Sequence, residues 1–133
     1  MENEERVPIT SATDIVSARQ KGRSLAIRLG FDGADLTLIA TAISEVARNI
    51  INHAKNGEIV LNHINHGSRQ GIEVVARDSG PGIADIELAM QYGYSTGKGL
   101  GVGLPGAKWL MDEFHISSEL GKGTVVTMRK WRH

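Results

Sequence analysis

LTLIATAISEVARNIINHA, residues 36–54, is the longest stretch of the sequence that keeps one periodicity from end to end. Its apolar residues recur at three- and four-residue steps, which predicts a helix with one face against a core. These are Leu36, Ile39, Ala40, Ile43, Val46, Ala47, Ile50 and Ile51. Glu45, Asn49 and Asn52 fall within about 60° of one another on the opposite side. Such a line fits a solvated surface, but asparagine is a poor helix former, so the two asparagines also indicate a function.

The composition is that of a small protein whose charges balance. Its 133 residues suffice for one core but not two, which predicts a single domain spanning 1–133. Basic and acidic residues balance at 15 each, so neither a nucleic acid nor a membrane is expected as a partner. The absence of cysteine excludes disulfides and thiolate metal sites. The polar N-terminus and the lack of a long apolar run favour a cytoplasmic protein.

The remaining pattern predicts helices and hairpins around the central helix. This order favours an α+β, two-layer sandwich with helices on one face of a mixed, mainly antiparallel sheet. The predicted elements are an extended segment at Arg6–Ile9, a helix from Ser11 or Thr13 to about Leu29 and strands at Glu58–Asn65 and Gly71–Asp78. A short helix at Ile86–Gln91, a helix over residues 105–114 and strands over residues 115–120 and 124–131 follow.

Helical spacing also predicts which side chains of the other helices are buried. Trp109 and Phe114 are expected in the core because they share their spacing with Leu110 and Met111. The expected buried side of the first helix comprises Ile15, Val16, Ala18, Leu25, Ile27 and Leu29.

The stretch Asp78-Ser79-Gly80-Pro81-Gly82 follows an apolar strand. An aspartate there can accept a hydrogen bond from an exocyclic amine, and glycines let a ligand approach the backbone. All four residue types also favour ordinary turns, so this stretch by itself leaves both interpretations open.

A second glycine-rich stretch, Gly97-Lys98-Gly99-Leu100-Gly101-Val102-Gly103-Leu104, leads into a predicted helix. Backbone N–H groups in such a loop, with the N-terminus of a helix, form a concave surface that binds phosphate. A flexible connector is the alternative, but connectors seldom alternate so regularly with Leu and Val. The stretch is neither a Walker loop nor a Rossmann fingerprint.

Taken together, the stretches resemble the N, G1, G2 and G3 boxes of the GHKL family, whose members share the Bergerat ATP-binding fold. The boxes are Glu45-x-x-x-Asn49, Asp78-x-Gly80-x-Gly82, the loop Gly97–Gly103 and Gly121-Lys-Gly-Thr124. The segment Asn49-Ile-Ile-Asn-His53-Ala54 is similar to the serine-kinase, anti-sigma branch of that family. The glycine-rich loop and the ending GKGTVVTMRKW look most like RsbT-type switch kinases of the bacterial stressosome.

The resemblance implies ATP and Mg²⁺ as cofactors and assigns roles to matching residues. Glu45 would orient and deprotonate a substrate hydroxyl, and Asn49 would bind Mg²⁺, with Asn52 supporting the phosphates. Asp78 would accept the adenine amine with help from Thr124, and Gly80 and Gly82 would let the base and the lid close. The phosphate cradle would comprise Gly97, Lys98, Gly99, Leu100, Gly101, Val102 and Gly103.

The sequence departs from the pattern of this branch in the lid, which lies between Ile83 and Gly103. Kinases of this branch often place an arginine beside the terminal phosphate, whereas this sequence has no arginine between Ile83 and Gly103. Lys98 is therefore expected to supply the positive charge, and it is counted with Glu45 as a catalytic residue. A lysine neutralises charge but cannot form the bidentate contact of a guanidinium.

The resemblance implies a protein serine/threonine kinase that phosphorylates STAS-domain antagonist and scaffold proteins of the stressosome. On release, such a kinase would activate a PP2C-type phosphatase in a stress-response sigma-factor pathway. Two alternatives stay open: a nucleotide-gated binding module with little catalysis, and a detached histidine-kinase-type ATPase domain.

Overall fold

The computed structural model of the chain describes residues 4–83, 90 and 103–132. Within them lie three helices and five strands, so the predicted α+β class is confirmed. In chain order they are β1 (Glu5–Ile9), α1 (Ala12–Arg28), α2 (Gly33–His53), β2 (Gly57–His66), β3 (Arg69–Asp78), α3 (Gly103–Leu110), β4 (Glu113–Glu119) and β5 (Gly123–Trp131).

The five strands form one sheet in the order β1-β2-β3-β5-β4. All four pairings between these strands are antiparallel, so this sheet is not mixed as the sequence suggested. The β2–β3 ladder continues to the pair His66 and Arg69, which leaves a two-residue turn instead of the five residues expected. Gly67 makes that tight turn possible with φ of +63°.

The helices cover one face of the sheet and enclose a single apolar cluster with it. α1 packs through Ala18, Gly22, Leu25 and Ala26. A Cβ atom at Gly22 would collide with the Ile43 side chain, which shows how closely α1 and α2 approach.

Two residues of the predicted buried side of α1 are exposed. Val16 is 40% exposed and Ile27 is 48% exposed, so their assignment to the core was wrong. The buried side of α1 is formed by Ala18, Gly22, Leu25 and Ala26. At about 100° per residue, Val16 and Ile27 lie on the opposite side of the helix.

α2 is buried on more than one side. The predicted apolar face is inside, but Ser44 and Glu45 are buried as well, at 6% and 7% exposure. α3 packs against α2 and covers the side on which Glu45 lies. Of the polar residues opposite the core, Glu45 is thus buried, Asn49 is partly buried and Asn52, at the C-terminal end, is exposed.

α3 is shorter than the sequence predicted. It ends at Leu110, because Asp112 pins the chain to β5: its N–H donates to the Arg129 carbonyl at 3.0 Å and its carboxylate accepts the Trp131 N–H at 2.8 Å. Phe114 consequently lies in β4, where it packs partly against the core. Trp109 is 81% exposed, so its assignment to the core was wrong. In the described part of the chain, no helix has the length and apolarity needed to cross a bilayer.

Candidate functional site

The end of β3 brings three parts of the chain together. Asp78, its last residue, lies opposite Gly57 of β2 and opposite Thr124 of β5. The chain then turns beneath the C-terminal end of α2, where Ala54 faces Gly80. One end of the sheet and one end of the central helix thus meet at the first predicted box.

The carboxylate of Asp78 is held by backbone donors through one of its oxygens. Oδ1 accepts the N–H of Gly80 at 3.0 Å and the N–H of Thr124 at 3.3 Å. Among the described residues, Oδ2 receives no hydrogen bond, and the side chain is only partly buried. A fixed carboxylate with one oxygen available fits the predicted acceptor for an exocyclic amine.

Both glycines of this box stand where a side chain would not fit. A Cβ atom at Gly80 would lie 2.5 Å from the Cβ of Ala54, well inside contact distance. Gly82 has φ of +82°, and a Cβ there would lie 2.5 Å from the Glu119 carbonyl oxygen. The turn after β3 is therefore pressed against α2 on one side and the end of β4 on the other.

Ser118 is a site residue that the sequence analysis missed. Its hydroxyl accepts the N–H of Ile83 at 2.7 Å, contacts the Thr124 hydroxyl at 2.8 Å and donates to the Gly123 carbonyl at 3.2 Å. Thr124 is 4% exposed, and the contact with Ser118 orients its hydroxyl. Alternation along β4 could have placed Ser118 on the inner face, but nothing local identifies its partners.

Glu45 lies further along α2 and connects it to α3. Its Oε1 accepts the N–H of Gly103 at 2.9 Å, and its Oε2 lies 2.7 Å from Nη1 of Arg48. Gly103 is the first residue of α3 and has φ of +69°. The residue predicted as the general base thus bonds to the last residue of the predicted phosphate loop. Arg48 is a second residue that the sequence analysis did not single out.

The two asparagines follow Glu45 toward the end of α2. Asn49 is partly buried and Asn52 is exposed, and neither side chain hydrogen-bonds to another described residue. Ala54 follows Glu45 by nine positions, which corresponds to about 13 Å along the helix axis at about 1.5 Å per residue. Carboxamide oxygens therefore line the path between the buried Glu45 and the turn at Gly80.

Part of the predicted site lies outside the described residues. These positions are Gly97, Lys98, Gly99, Leu100, Gly101 and Val102 of the phosphate loop, and residues 86–89 and 91 of the short predicted helix. Of the loop, the structure describes Gly103 alone. The assignment of Lys98 stays a prediction.

The arrangement has the parts needed to hold an extended nucleotide. One end carries an acceptor for a base, the helix between carries amide oxygens suited to a hard cation, and the other end carries a carboxylate beside a guanidinium. A carboxylate held by two donors is oriented and charge-compensated, which suits a group that positions a hydroxyl.

Comparisons with known proteins show the family to which the chain belongs. The family of histidine kinase-like ATPase domains matches residues 9–130. Serine/threonine-protein kinase RsbT of Bacillus subtilis (strain 168) is 47% identical over 131 residues, which cover 98% of each chain. The Anti-sigma F factor of Thermoanaerobacter sp. (strain X514) is 39% identical over 99 residues, which cover 70% of this chain and 68% of that one.

Solved structures share the fold. A structure of the RsbU and RsbW domains of a Mycobacterium tuberculosis protein matches with a TM-score of 0.63 at 22% identity, covering 98% of this chain and 33% of that chain. The mycobacterial sensor histidine kinase MprB matches with a TM-score of 0.57 at 16% identity, covering 97% of each chain. Family membership implies ATP as the nucleotide. The chain therefore belongs to the histidine kinase-like ATPase domain family, the GHKL family that its boxes resemble, and within it to the branch of protein serine/threonine kinases and anti-sigma factors.

Proposed function

We propose that this protein is a cytoplasmic, single-domain partner-switching kinase that transfers the terminal phosphate of ATP to a serine or threonine of a STAS-domain antagonist or scaffold protein. On release from that partner, it activates a PP2C-type phosphatase in a bacterial stress-response sigma-factor pathway. The observation that carries the proposal is the buried carboxylate of Glu45, held at 7% exposure between the N–H of Gly103 and the guanidinium of Arg48. The high identity to RsbT over nearly the whole chain supports the same class.

Nucleotide recognition follows from the end of β3. Asp78 would accept the adenine amine through Oδ2, since Oδ1 is held by the N–H groups of Gly80 and Thr124. The Thr124 hydroxyl, oriented by Ser118, would assist at the same edge of the base. Gly80 and Gly82 carry no side chains, and the turn they form would therefore leave room for the base.

The phosphates would extend along α2 toward Glu45. The Asn49 amide oxygen would hold Mg²⁺ together with phosphate oxygens, because a hard cation prefers oxygen ligands. When bound, the ion supplies charge neutralisation on the transferred phosphoryl group. Asn52 would support the phosphates, and Lys98 would add a positive charge from the glycine-rich loop.

Transfer then requires one acceptor for a proton. The substrate hydroxyl oxygen forms a bond to the terminal phosphorus while the bond from that phosphorus to the bridging oxygen of ADP breaks. Glu45 orients the hydroxyl and takes its proton. Phosphoryl transfer depends mainly on positioning and charge stabilisation, so a carboxylate oriented by the N–H of Gly103 is sufficient.

Transfer of radiolabelled phosphate from ATP with Mg²⁺ to STAS-domain proteins encoded beside this gene tests the proposal. Wild type is compared with Asp78→Asn, Glu45→Gln and the control Asp35→Asn in the first turn of α2. Acid-stable label on a partner serine or threonine is expected for wild type and Asp35→Asn and is lost in the two site variants. Acid-labile label would indicate histidine-kinase chemistry, and ATP-dependent partner binding without label would indicate a nucleotide-gated binding module; either result overturns the proposal.

A further inference from the structure

The only role assigned to Arg48 so far is the contact that holds Glu45. It follows Glu45 by three residues on α2, and its Nη1 lies 2.7 Å from Oε2 of that carboxylate. The Glu45 side chain is 7% exposed, whereas the Arg48 side chain is 34% exposed. The carboxylate of Glu45 is therefore buried, whereas the side chain of Arg48 is partly exposed.

The two donors on Glu45 lie beside the expected position of the reacting phosphoryl group. A hydroxyl that Glu45 orients must lie about 3 Å from the carboxylate and about 3–3.5 Å from the phosphorus it attacks. A guanidinium in contact with the same carboxylate is then within reach of the phosphoryl oxygens. Gly103, the other donor, begins α3, and N–H groups at the start of a helix favour phosphate.

We propose that Arg48 binds the terminal phosphate of ATP, exchanging Glu45 for a phosphoryl oxygen when the nucleotide enters. This inference rests on the proposed function, because it places the terminal phosphate beside Glu45. The exchange brings a guanidinium to the phosphate from α2, in a sequence with no arginine between Ile83 and Gly103. It also frees Oε2 of Glu45 to accept the substrate hydroxyl.

Discrimination between triphosphate and diphosphate follows from this arrangement. Arg48 would contact only the terminal phosphate, so it strengthens the binding of ATP and leaves the binding of ADP unchanged. A guanidinium is planar and binds two oxygens at once, whereas an ammonium group acts as a point charge. Lysine at this position is therefore expected to restore part of the preference for ATP, and glutamine none of it.

Calorimetric titration with ATP and with ADP, each with Mg²⁺, tests the proposal on the full chain. Arg48→Gln is expected to lower the ratio of ATP to ADP affinity by about tenfold or more, the size of one charge-assisted hydrogen bond. Arg48→Lys is expected to give an intermediate ratio. Arg28→Gln is the matched control, because Arg28 also lies on a helix and pairs with a carboxylate, that of Glu5, at 2.9 Å.

The double variant Glu45→Gln/Arg48→Gln shows whether Arg48 contacts the phosphate directly or affects ATP binding only by holding Glu45. It leaves no uncompensated buried charge, and its thermal melting shows whether the fold is kept. If Arg48 binds phosphate, the double variant loses the preference for ATP that Glu45→Gln alone retains. If Arg48 only holds Glu45, the double variant and Glu45→Gln have the same ratio, and the proposal is wrong.

The two proposals fail in different ways. Wild-type protein that binds no ATP and transfers no phosphate would contradict the proposed function itself. Wild-type protein that transfers phosphate, together with an unchanged ATP-to-ADP ratio in Arg48→Gln, would contradict the role of Arg48 alone.

Discussion

Asp78 lies directly opposite Thr124 in the β3–β5 ladder, and its Oδ1 accepts the N–H of Thr124 at 3.3 Å. The same oxygen accepts the N–H of Gly80 at 3.0 Å. The carboxylate therefore serves the fold with one oxygen and is available to a ligand with the other. This division allows the two roles to be separated by substitution.

Asp78→Asn is expected to weaken nucleotide binding and keep the fold. The amide oxygen of asparagine can still accept both N–H groups, but its NH₂ group faces the adenine amine as a second donor. Loss of a hydrogen bond to a charged group costs about 1.5–3 kcal/mol, or about ten- to a hundredfold in ATP affinity. Calorimetric titration measures this loss, and circular dichroism checks the fold. Asp35→Asn, in the first turn of α2, is the control; equal ATP affinity in both variants would exclude Asp78 from the site.

Gly80→Ala is expected to destabilise the protein and weaken ATP binding together. Its new Cβ would lie 2.5 Å from the Cβ of Ala54, and overpacking of this kind costs about 1–3 kcal/mol. Ala54→Gly in the same chain removes the opposing methyl group, so part of the stability should return. Thermal melting of the two single variants and the double variant measures the coupling. Simple additivity of the two effects would mean that the turn and α2 are not in contact.

Ser118→Ala is expected to reduce both stability and ATP affinity. The substitution leaves the Ile83 N–H without its acceptor, at a cost of about 1–3 kcal/mol, and releases the Thr124 hydroxyl. Ser117→Ala provides the matched control, because Ser117 is the preceding residue of β4 and is exposed. Chemical denaturation and nucleotide titration of both variants are the measurements. A Ser118 variant that matches the Ser117 variant in both would remove Ser118 from the site.

Trp109→Ala is expected to leave the free energy of unfolding within about 0.5 kcal/mol of wild type, because the side chain is 81% exposed. Met111→Ala, two residues later, should cost about 2–5 kcal/mol, because Met111 is 6% exposed. Acrylamide should quench the fluorescence of Trp109 readily and that of Trp131, which is 7% exposed, poorly. Single Trp→Phe variants assign the two signals; equal quenching would contradict the packing of α3.

The carboxyl of Asp14 is expected to make the stability of the fold depend on pH in the acid range. Hydrogen bonds from the backbone N–H and then the hydroxyl of Thr10 lower the pKa of the Asp14 carboxyl from its ordinary value of 3.8. A lowered pKa in the folded state means that the stabilisation is complete above the unfolded pKa and disappears as the pH falls through the folded value. The melting temperature of Asp14→Asn should therefore be below that of wild type at neutral pH. The difference should shrink below about pH 4; a difference independent of pH would contradict this origin.

Much of the fold could be predicted because it follows from local sequence patterns. α2 is confirmed over its predicted core, since its periodicity continues for five turns. The two hairpins are confirmed with small changes of bounds, because alternation and glycine-bearing turns both indicate them. The assignment to the core was wrong for three apolar residues, Val16, Ile27 and Trp109. Their helices showed only a weak or short apolar pattern.

The helix at α2, the positions of the glycines and the residues of the boxes follow from the sequence alone, because periodicity and backbone freedom are properties of neighbouring residues. The burial of Glu45 and the identity of the groups that hold it depend on tertiary contacts. The hydrogen bond from Gly103 to Glu45 joins residues 58 positions apart, and the bond from Thr124 to Asp78 joins residues 46 apart. Contacts over such distances depend on how helices and strands pack against one another, and no local pattern records that packing.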